Sequence, residues 1–168
     1  GYNIDACRVF STGMSNGGFM SYRLACELEN KIAAVASVTG SMTDSMVFYC
    51  QNNRAVAVME MNGTADNTVP YDGTTAFTSV DENLDFWKTH NNCLGTAVTQ
   101  DLPDIDPLDG ATVTKIHYTT CDASTELITF KINGGGHTWP RAVFNIGVTT
   151  QDISANSEIL KFFNAHPR

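Results

Sequence analysis

Residues 6–18 read ACRVFSTGMSNGG, a short apolar run followed by a turn of small residues. The run Ala6–Phe10 predicts a β-strand, residues 11–18 predict a turn, and Phe19–Leu28 predicts an α-helix. Apolar side chains at i, i+4 and i+8 predict the buried stripe of that helix: Met20, Leu24 and Leu28. A strand that turns tightly into a helix is typical of a layered α/β fold.

The rest of the chain alternates strand-like and helix-like segments. The predicted strands are Ile32–Val38, Ala55–Met61, Thr112–Tyr118 and Glu126–Ile132. The predicted helices are Thr75–His90 and a last helix that runs from an N-cap near Ser154 to Ala165, and residues 39–54 are predicted to be loop. This alternation predicts one α/β domain over residues 1–168, with a mainly parallel sheet flanked by helices.

The composition excludes several classes of function. The chain has 168 residues with 10 basic and 18 acidic side chains, hence a net charge of −8, and 17% of its residues are charged. Because nothing here would neutralise phosphates, nucleic-acid binding is not expected. No run approaches the roughly 18 consecutive apolar residues of a membrane-spanning helix, so no membrane partner is expected either.

Five cysteines in a chain of this size indicate an oxidising, extracellular compartment. Cys93 follows a helix-like segment and Cys121 ends a strand-like one, so these two form the preferred disulfide. Cys26 with Cys50 is a further candidate pair, and Cys7 is then left over.

The pentapeptide Gly13-Met14-Ser15-Asn16-Gly17 matches G-x-S-x-G between a predicted strand and a predicted helix. Such a turn exposes the serine hydroxyl at the carboxyl edge of the sheet, and side chains at Gly13 and Gly17 are expected to collide across it. Ser15 is therefore the candidate nucleophile, and the backbone N–H of Asn16 the candidate oxyanion donor.

A serine nucleophile needs an imidazole base, and the chain has four histidines. His137 lies in the glycine-rich loop 134–140, whose backbone freedom would let an imidazole reach back over the sheet edge. The alternatives fit other roles: His90 ends a helix, His117 lies in a strand, and His166 is expected to be solvated near the carboxyl terminus.

The base in turn needs a carboxylate that orients it. Asp66 follows the buried strand Ala55–Met61 and would lie at the same sheet edge as Ser15, whereas Asp72 is a competitor that fits turn chemistry. The order Ser15, Asp66, His137 is that of the α/β-hydrolases.

Three segments resemble the secreted polyhydroxybutyrate depolymerase and feruloyl esterase family of α/β-hydrolases. Residues 12–18 are similar to its nucleophile turn, residues 62–71 to its acid segment, and residues 134–140 to its histidine loop; the stretch from Leu102 through Cys121 is also similar. The resemblance implies a Ser15–His137–Asp66 triad, a Trp139 side chain near the bound ester, and a Cys93–Cys121 disulfide.

Members of that family carry about a hundred more residues before the nucleophile turn. Those residues form the first strands of the sheet and a His-Gly-type loop that supplies a second oxyanion donor. We therefore expect this chain to be the carboxyl-terminal part of such an esterase, with the N-terminal strands missing and weak or no turnover in isolation. Its open sheet edge would favour self-association.

The sequence thus predicts a secreted serine carboxylic-ester hydrolase that works through an acyl-enzyme and needs no cofactor. The candidate substrates are the 3-hydroxybutyrate polyester, feruloyl or acetyl esters on plant polysaccharide, and small aryl esters; loops 39–53 and 141–151 would shape the groove. A non-catalytic binding or assembly module is the alternative, and peptidase or thioesterase chemistry is a lesser one. The acidic run 101–110 lacks the spacing of a calcium loop, so no metal is expected.

Overall fold

The computed structural model describes residues 2–51, 54–144 and 146–168, so residues 52, 53 and 145 of the two predicted substrate loops lie outside it. Six strands form one sheet: β1 Phe10–Met14, β2 Ala34–Val38, β3 Ala57–Gly63, β4 Val98–Asp101, β5 Thr112–Tyr118 and β6 Leu127–Asn133. The helices are α1 Asn16–Glu27, α2 Asp44–Tyr49, α3 Val80–His90 and α4 Ala155–Ala165, with a short 3-10 turn at Asp122–Ser124.

The strand order is β1-β2-β3-β6-β5-β4. β1, β2, β3 and β6 run parallel, whereas β5 pairs antiparallel with both β6 and β4. Every residue of β2 and β3 is buried, as expected for strands covered on both faces. One apolar cluster lies between the sheet and α4, and a second lies on the face that α1 and α3 cover. The predicted α/β layering and mainly parallel sheet are confirmed.

The first strand lies further along the chain than predicted. β1 is Phe10–Met14, and its pairing with β2 runs from Phe10 opposite Ala34 to Met14 opposite Val38. The prediction of a strand at Ala6–Phe10 is therefore wrong. Small and polar residues in a strand resemble a turn, but pairing with a fully buried neighbour overrides that local preference.

The helix that follows β1 also differs from the prediction. It begins at Asn16, three residues early, and its buried residues are Gly18, Ser21, Tyr22, Ala25 and Cys26. The predicted stripe is wrong, because Met20 is 50% exposed and Leu28 is 37% exposed. Apart from Tyr22 the inward residues are small, because α1 lies close to β2: a Cβ atom on Gly18 would overlap the Oγ of Ser37.

Other boundaries follow from capping and pairing. α3 begins at Val80 instead of Thr75, because Ser79 and Glu82 form a reciprocal capping box there. α2 lies within the segment predicted to be loop, and β4 escaped prediction because all four of its residues are exposed. The last helix is capped by Ser154 and buries Ile159, Phe162 and Phe163, as predicted.

Disulfides join Cys93 to Cys121 and Cys26 to Cys50, which are the two pairs named from the sequence, and Cys7 is a free, exposed thiol. Across residues 2–51, 54–144 and 146–168, no helix has the length and apolar character needed to cross a membrane. The same residues contain no group of three or more histidine, cysteine, aspartate or glutamate side chains that could hold a metal ion.

Candidate active site

Ser15 connects β1 directly to α1 in a strained backbone conformation. Its φ of 55° and ψ of −120° lie in a region that residues with a side chain rarely adopt. The conformation is fixed from both sides: its N–H donates to the carbonyl of Val38 at 2.8 Å, and its carbonyl accepts from the N–H of Gly18 at 2.8 Å. The turn therefore holds a hydroxyl at the carboxyl edge of the sheet.

Only one of the two motif glycines is required by its surroundings. A Cβ atom on Gly13 would lie 2.7 Å from the backbone of Gly17, which no real Cβ contact allows. A Cβ atom on Gly17 would meet nothing within 4 Å. The expectation of a collision at Gly17 is thus wrong, because its Cα–Cβ direction points into open space.

Asn16 is the first residue of α1, whose opening turn contains no acidic side chain. The first N–H groups of a helix have no carbonyl partner within it and carry the positive end of its dipole. The N–H of Asn16 therefore lies beside the Ser15 hydroxyl as a donor suited to an anionic oxygen.

Asp66 lies three residues beyond the end of β3, and its side chain is 1% exposed. Its Oδ1 accepts hydrogen bonds from the backbone N–H of Thr68 at 2.8 Å and of Val69 at 2.9 Å. Its Oδ2 lies 2.7 Å from Nδ1 of His137. The carboxylate is thus fixed by its own turn and directed at one imidazole.

Backbone contact between two loops brings Asp66 and His137 together. The N–H of Ala65 donates to the carbonyl of Gly135 at 2.9 Å, and the N–H of Gly134 donates to Oγ1 of Thr64 at 2.8 Å. A Cβ atom on Gly63 would overlap the Gly135 carbonyl, so a glycine is needed at the end of β3 for the loops to meet.

His137 is the histidine that the structure places beside an acid at this edge. Its side chain is 20% exposed, and among the described residues its Nε2 has no hydrogen-bond partner. His90 contacts the Arg54 carbonyl, and burial lowers its pKa. His117 and His166 both face Glu126, and the expectation that His166 is solvated is wrong: its side chain is 9% exposed and its Nδ1 bonds the Phe162 carbonyl.

Ser15 follows β1, Asp66 follows β3 and His137 follows β6, so all three lie at the carboxyl edge of parallel strands. β2 and β3 lie between β1 and β6, and neighbouring strands are about 5 Å apart. Ser15 and His137 therefore follow strands that are not neighbours in the sheet. Within the described part of the chain, the structure brings Asp66 and His137 into contact and leaves the Ser15 hydroxyl without a hydrogen bond. Hydrogen bonds between a nucleophile and its base often form or shorten only when substrate binds.

Trp139 lies two residues after His137 and packs against the core beneath α4. Its indole N–H donates to Oδ1 of Asn156 at 3.0 Å, and a cavity of about 300 Å³ opens beside it, lined also by Ile159 and Phe163. The indole is therefore anchored to α4, and Trp139 lines a mainly apolar cavity.

Glu60 is a buried acid that the sequence prediction did not select. It lies in β3 and is fully buried, and burial raises its pKa to about 7. Its two carboxyl oxygens accept hydrogen bonds from Tyr22 and Thr129. The signal was present in the sequence, because a glutamate interrupts the apolar run Ala55–Met61.

Comparison with known proteins supports a likeness to esterases. The chain is 29% identical to feruloyl esterase D of Neurospora crassa over 82% of its length and 42% of that protein. It is 26% identical to the putative esterase NocK of Nocardia uniformis over 95% of its length and 52% of that protein. It is also 26% identical to the bifunctional acetylxylan esterase/xylanase XynS20E of Neocallimastix patriciarum, over 81% of this chain and 19% of that protein.

Among solved structures, an acetyl xylan esterase from Aspergillus awamori superposes with a TM-score of 0.61 at 14% sequence identity, covering 95% of this chain and 60% of that one. The chain has an α/β-hydrolase-like fold. No family model matches it. It spans about half the length of the first two relatives, 42% and 52%.

Proposed function

We propose that this chain carries the catalytic triad of a serine carboxylic-ester hydrolase. The observation that carries the proposal is the 2.7 Å contact between Asp66 and His137 at the sheet edge where Ser15 stands in its strained turn. The likeness to proteins named feruloyl esterase and acetylxylan esterase supports the same reaction class.

The arrangement suits a two-step acyl transfer. Nε2 of His137 takes the proton of Ser15 as the hydroxyl oxygen attacks the ester carbonyl, and the same imidazole then protonates the leaving alcohol. Water then gives a proton to His137 as it attacks the acyl-enzyme, and His137 passes that proton to the Ser15 oxygen as the acyl–oxygen bond breaks and the acid is released. Asp66 accepts the Nδ1–H bond throughout, holds the imidazole tautomer and stabilises the imidazolium.

The negative oxygen of the tetrahedral intermediate needs hydrogen-bond donors. The Asn16 N–H at the start of α1 is the donor that this chain offers beside Ser15. Losing one such donor typically lowers the rate by about 10²–10³-fold, so a site with this donor alone is expected to turn over slowly.

For substrate, we infer a cell-wall ester of the feruloyl or acetyl type, because those are the names of the relatives. Polyhydroxybutyrate is a further candidate from the resemblance of the motifs. The apolar cavity beside Trp139 would receive an apolar part of the ester. We further propose that the protein is secreted, a setting with which its two disulfides agree.

A fluorophosphonate probe, which phosphonylates activated serines without needing turnover, tests the proposal on the full 168-residue chain. We expect covalent labelling at Ser15, located by peptide mass spectrometry, and its loss in Ser15→Ala and His137→Ala. If the folded chain remains unlabelled while a bona fide esterase reacts in the same mixture, the non-catalytic module becomes the better reading.

The strand order of the sheet also predicts where this chain could pair with another strand. β1 pairs with β2 alone among the described strands, so its other edge presents free backbone donors and acceptors. We therefore expect another strand to add there, from a second copy or from further polypeptide. Size-exclusion chromatography showing a concentration-independent monomer would contradict self-association.

A further inference from the structure

The Glu60 carboxyl connects three separate segments of the chain. Oε2 accepts the Tyr22 hydroxyl at 2.8 Å, and Oε1 accepts the Thr129 hydroxyl at 2.7 Å. Tyr22 belongs to α1, Glu60 to β3 and Thr129 to β6, and all three residues are completely buried. One carboxyl oxygen bonds α1 and the other bonds β6. The carboxyl group therefore fixes the positions of α1 and β6 relative to β3.

These are the segments that carry the three proposed triad residues. Ser15 immediately precedes α1, Asp66 lies three residues after β3, and His137 lies four residues after β6. The Glu60–Thr129 bond joins β3 to β6 directly, because these two residues lie opposite each other in the β3–β6 register. The Tyr22–Glu60 bond joins α1 to β3. α1 follows β1, and β2 separates β1 from β3 in the sheet.

Burying a carboxyl is a poor way to stabilise a fold. Removing an ionised carboxylate from water costs several kcal/mol, and well-packed apolar side chains of similar volume are often as stable as buried ionic groups or more so. Glu60 lies opposite the buried Ser37 of β2 in the β2–β3 register, and Val58 on the same strand belongs to an apolar cluster with Trp87 of α3. What an apolar residue could not supply is directional bonding to two elements at once.

We propose that Glu60 is a positioning residue for the triad: through Tyr22 and Thr129 it sets α1, β3 and β6 in the one arrangement that aligns Ser15, Asp66 and His137. This rests on the proposed hydrolase function. Glu60 does not contact the reacting atoms and acts through the elements it holds. Misplacing a reacting group by about 1 Å can cost about 10²-fold in rate, so small shifts of these elements are sufficient.

The test compares four variants of the full chain: Glu60→Gln, Tyr22→Phe, Thr129→Val and the control Thr125→Val. Thr125 is also buried, but it lies before β6 at the opposite edge of the sheet and donates to the Asp122 carbonyl. Two quantities are measured at a temperature where circular dichroism shows each variant folded: the rate of Ser15 phosphonylation, and the low-field proton NMR signal of the His137 Nδ1–H bonded to Asp66.

We expect Glu60→Gln to slow phosphonylation about tenfold or more and to broaden or shift the low-field signal. Tyr22→Phe and Thr129→Val should change both in the same direction, while Thr125→Val stays within about twofold of the parent. If Glu60→Gln does not fold, the other two variants decide. Unchanged labelling and an unchanged signal in folded variants, whatever their melting temperature, would overturn the proposal.

Failure of the hydrolase proposal gives a different result. In that case the parent chain itself resists phosphonylation, and the low-field signal alone decides the role of Glu60. A signal lost in Glu60→Gln and retained in Thr125→Val supports positioning, and a signal retained in both refutes it.

Discussion

Nδ1 of His137 lies 2.7 Å from Oδ2 of Asp66, although 71 residues separate them in the chain. The contact is possible because the loops after β3 and β6 bond each other through their backbones, with Gly63 and Gly135 in close approach. The second oxygen of Asp66 is held by the N–H groups of Thr68 and Val69, so the acid cannot rotate away. Asp66 thus holds the imidazole through Nδ1, and Nε2 is left to accept a proton.

Asp66→Asn should abolish most of the reactivity of Ser15. Oδ1 of the amide can keep the bonds to Thr68 and Val69, but its NH₂ group then faces Nδ1 and favours the wrong imidazole tautomer. We expect phosphonylation to slow by about 10³-fold or more, with little loss of stability. The matched control is Asp72→Asn, because Asp72 is exposed and lies in the next turn. If Asp72→Asn slowed labelling and Asp66→Asn did not, the acid would be misassigned.

The strain at Ser15 predicts that glycine at this position is more stable than alanine. Its φ of 55° suits glycine, and Ser15 makes no side-chain capping bond that would be lost. Glycine is also a better N-cap than alanine. Ser15→Gly should therefore be about 1 kcal/mol more stable than Ser15→Ala in urea unfolding, while both resist phosphonylation. Equal stability of the two variants would mean that the turn is unstrained in solution.

Much of the fold could be predicted because apolar runs determine it. β2 lies within its predicted apolar run, β3 overlaps the run Ala55–Met61 but extends to Gly63, and β5 has the bounds that alternation gave it. The prediction errors lie where tertiary contacts override the local sequence pattern. Pairing with β2 makes a strand of polar residues in β1, and close packing against the sheet turns the small face of α1 inward.

The site was predictable to the extent that its residues lie in glycine-rich turns at strand ends. The contact of His137 with Asp66 could be inferred from the order of the segments, since parallel strands end at one edge. The bonds of Glu60 could not, because pairing of β3 with β6 skips the two strands between them in sequence. A lone acid in an apolar run signals a buried partner without identifying it.

The two motif glycines should respond oppositely to alanine. Gly13→Ala places a methyl group 2.7 Å from the Gly17 backbone, so the turn must open, and we expect a loss of about 2 kcal/mol or more in the free energy of unfolding. Gly17→Ala meets nothing within 4 Å and lies in the first turn of α1, where alanine should favour the helix by up to about 0.5–1 kcal/mol, the difference seen in helix interiors. Urea unfolding of both variants measures the contrast. A destabilised Gly17→Ala would show that its Cβ direction is not open.

Glu60 should make the stability of the protein depend on pH in a definite direction. Burial, opposed by the Thr129 and Tyr22 hydrogen bonds and reinforced by the nearby charge of Asp81 on α3, raises its pKa from 4.5 to about 7. Between these values the folded state binds the extra proton, so this group's contribution to the free energy of unfolding is complete below about pH 4.5 and is lost as pH rises through 7.

Glu60→Gln removes that titration, so its stability relative to the parent should improve by about 3 kcal/mol between about pH 4 and pH 8. Urea unfolding of both proteins across this range gives the difference directly. Parallel stability curves would show that the Glu60 carboxyl titrates alike in the folded and unfolded chains. A variant that gains stability at high pH and yet phosphonylates more slowly would show that the protein retains this acid for the geometry of its site, at a cost to the stability of its fold.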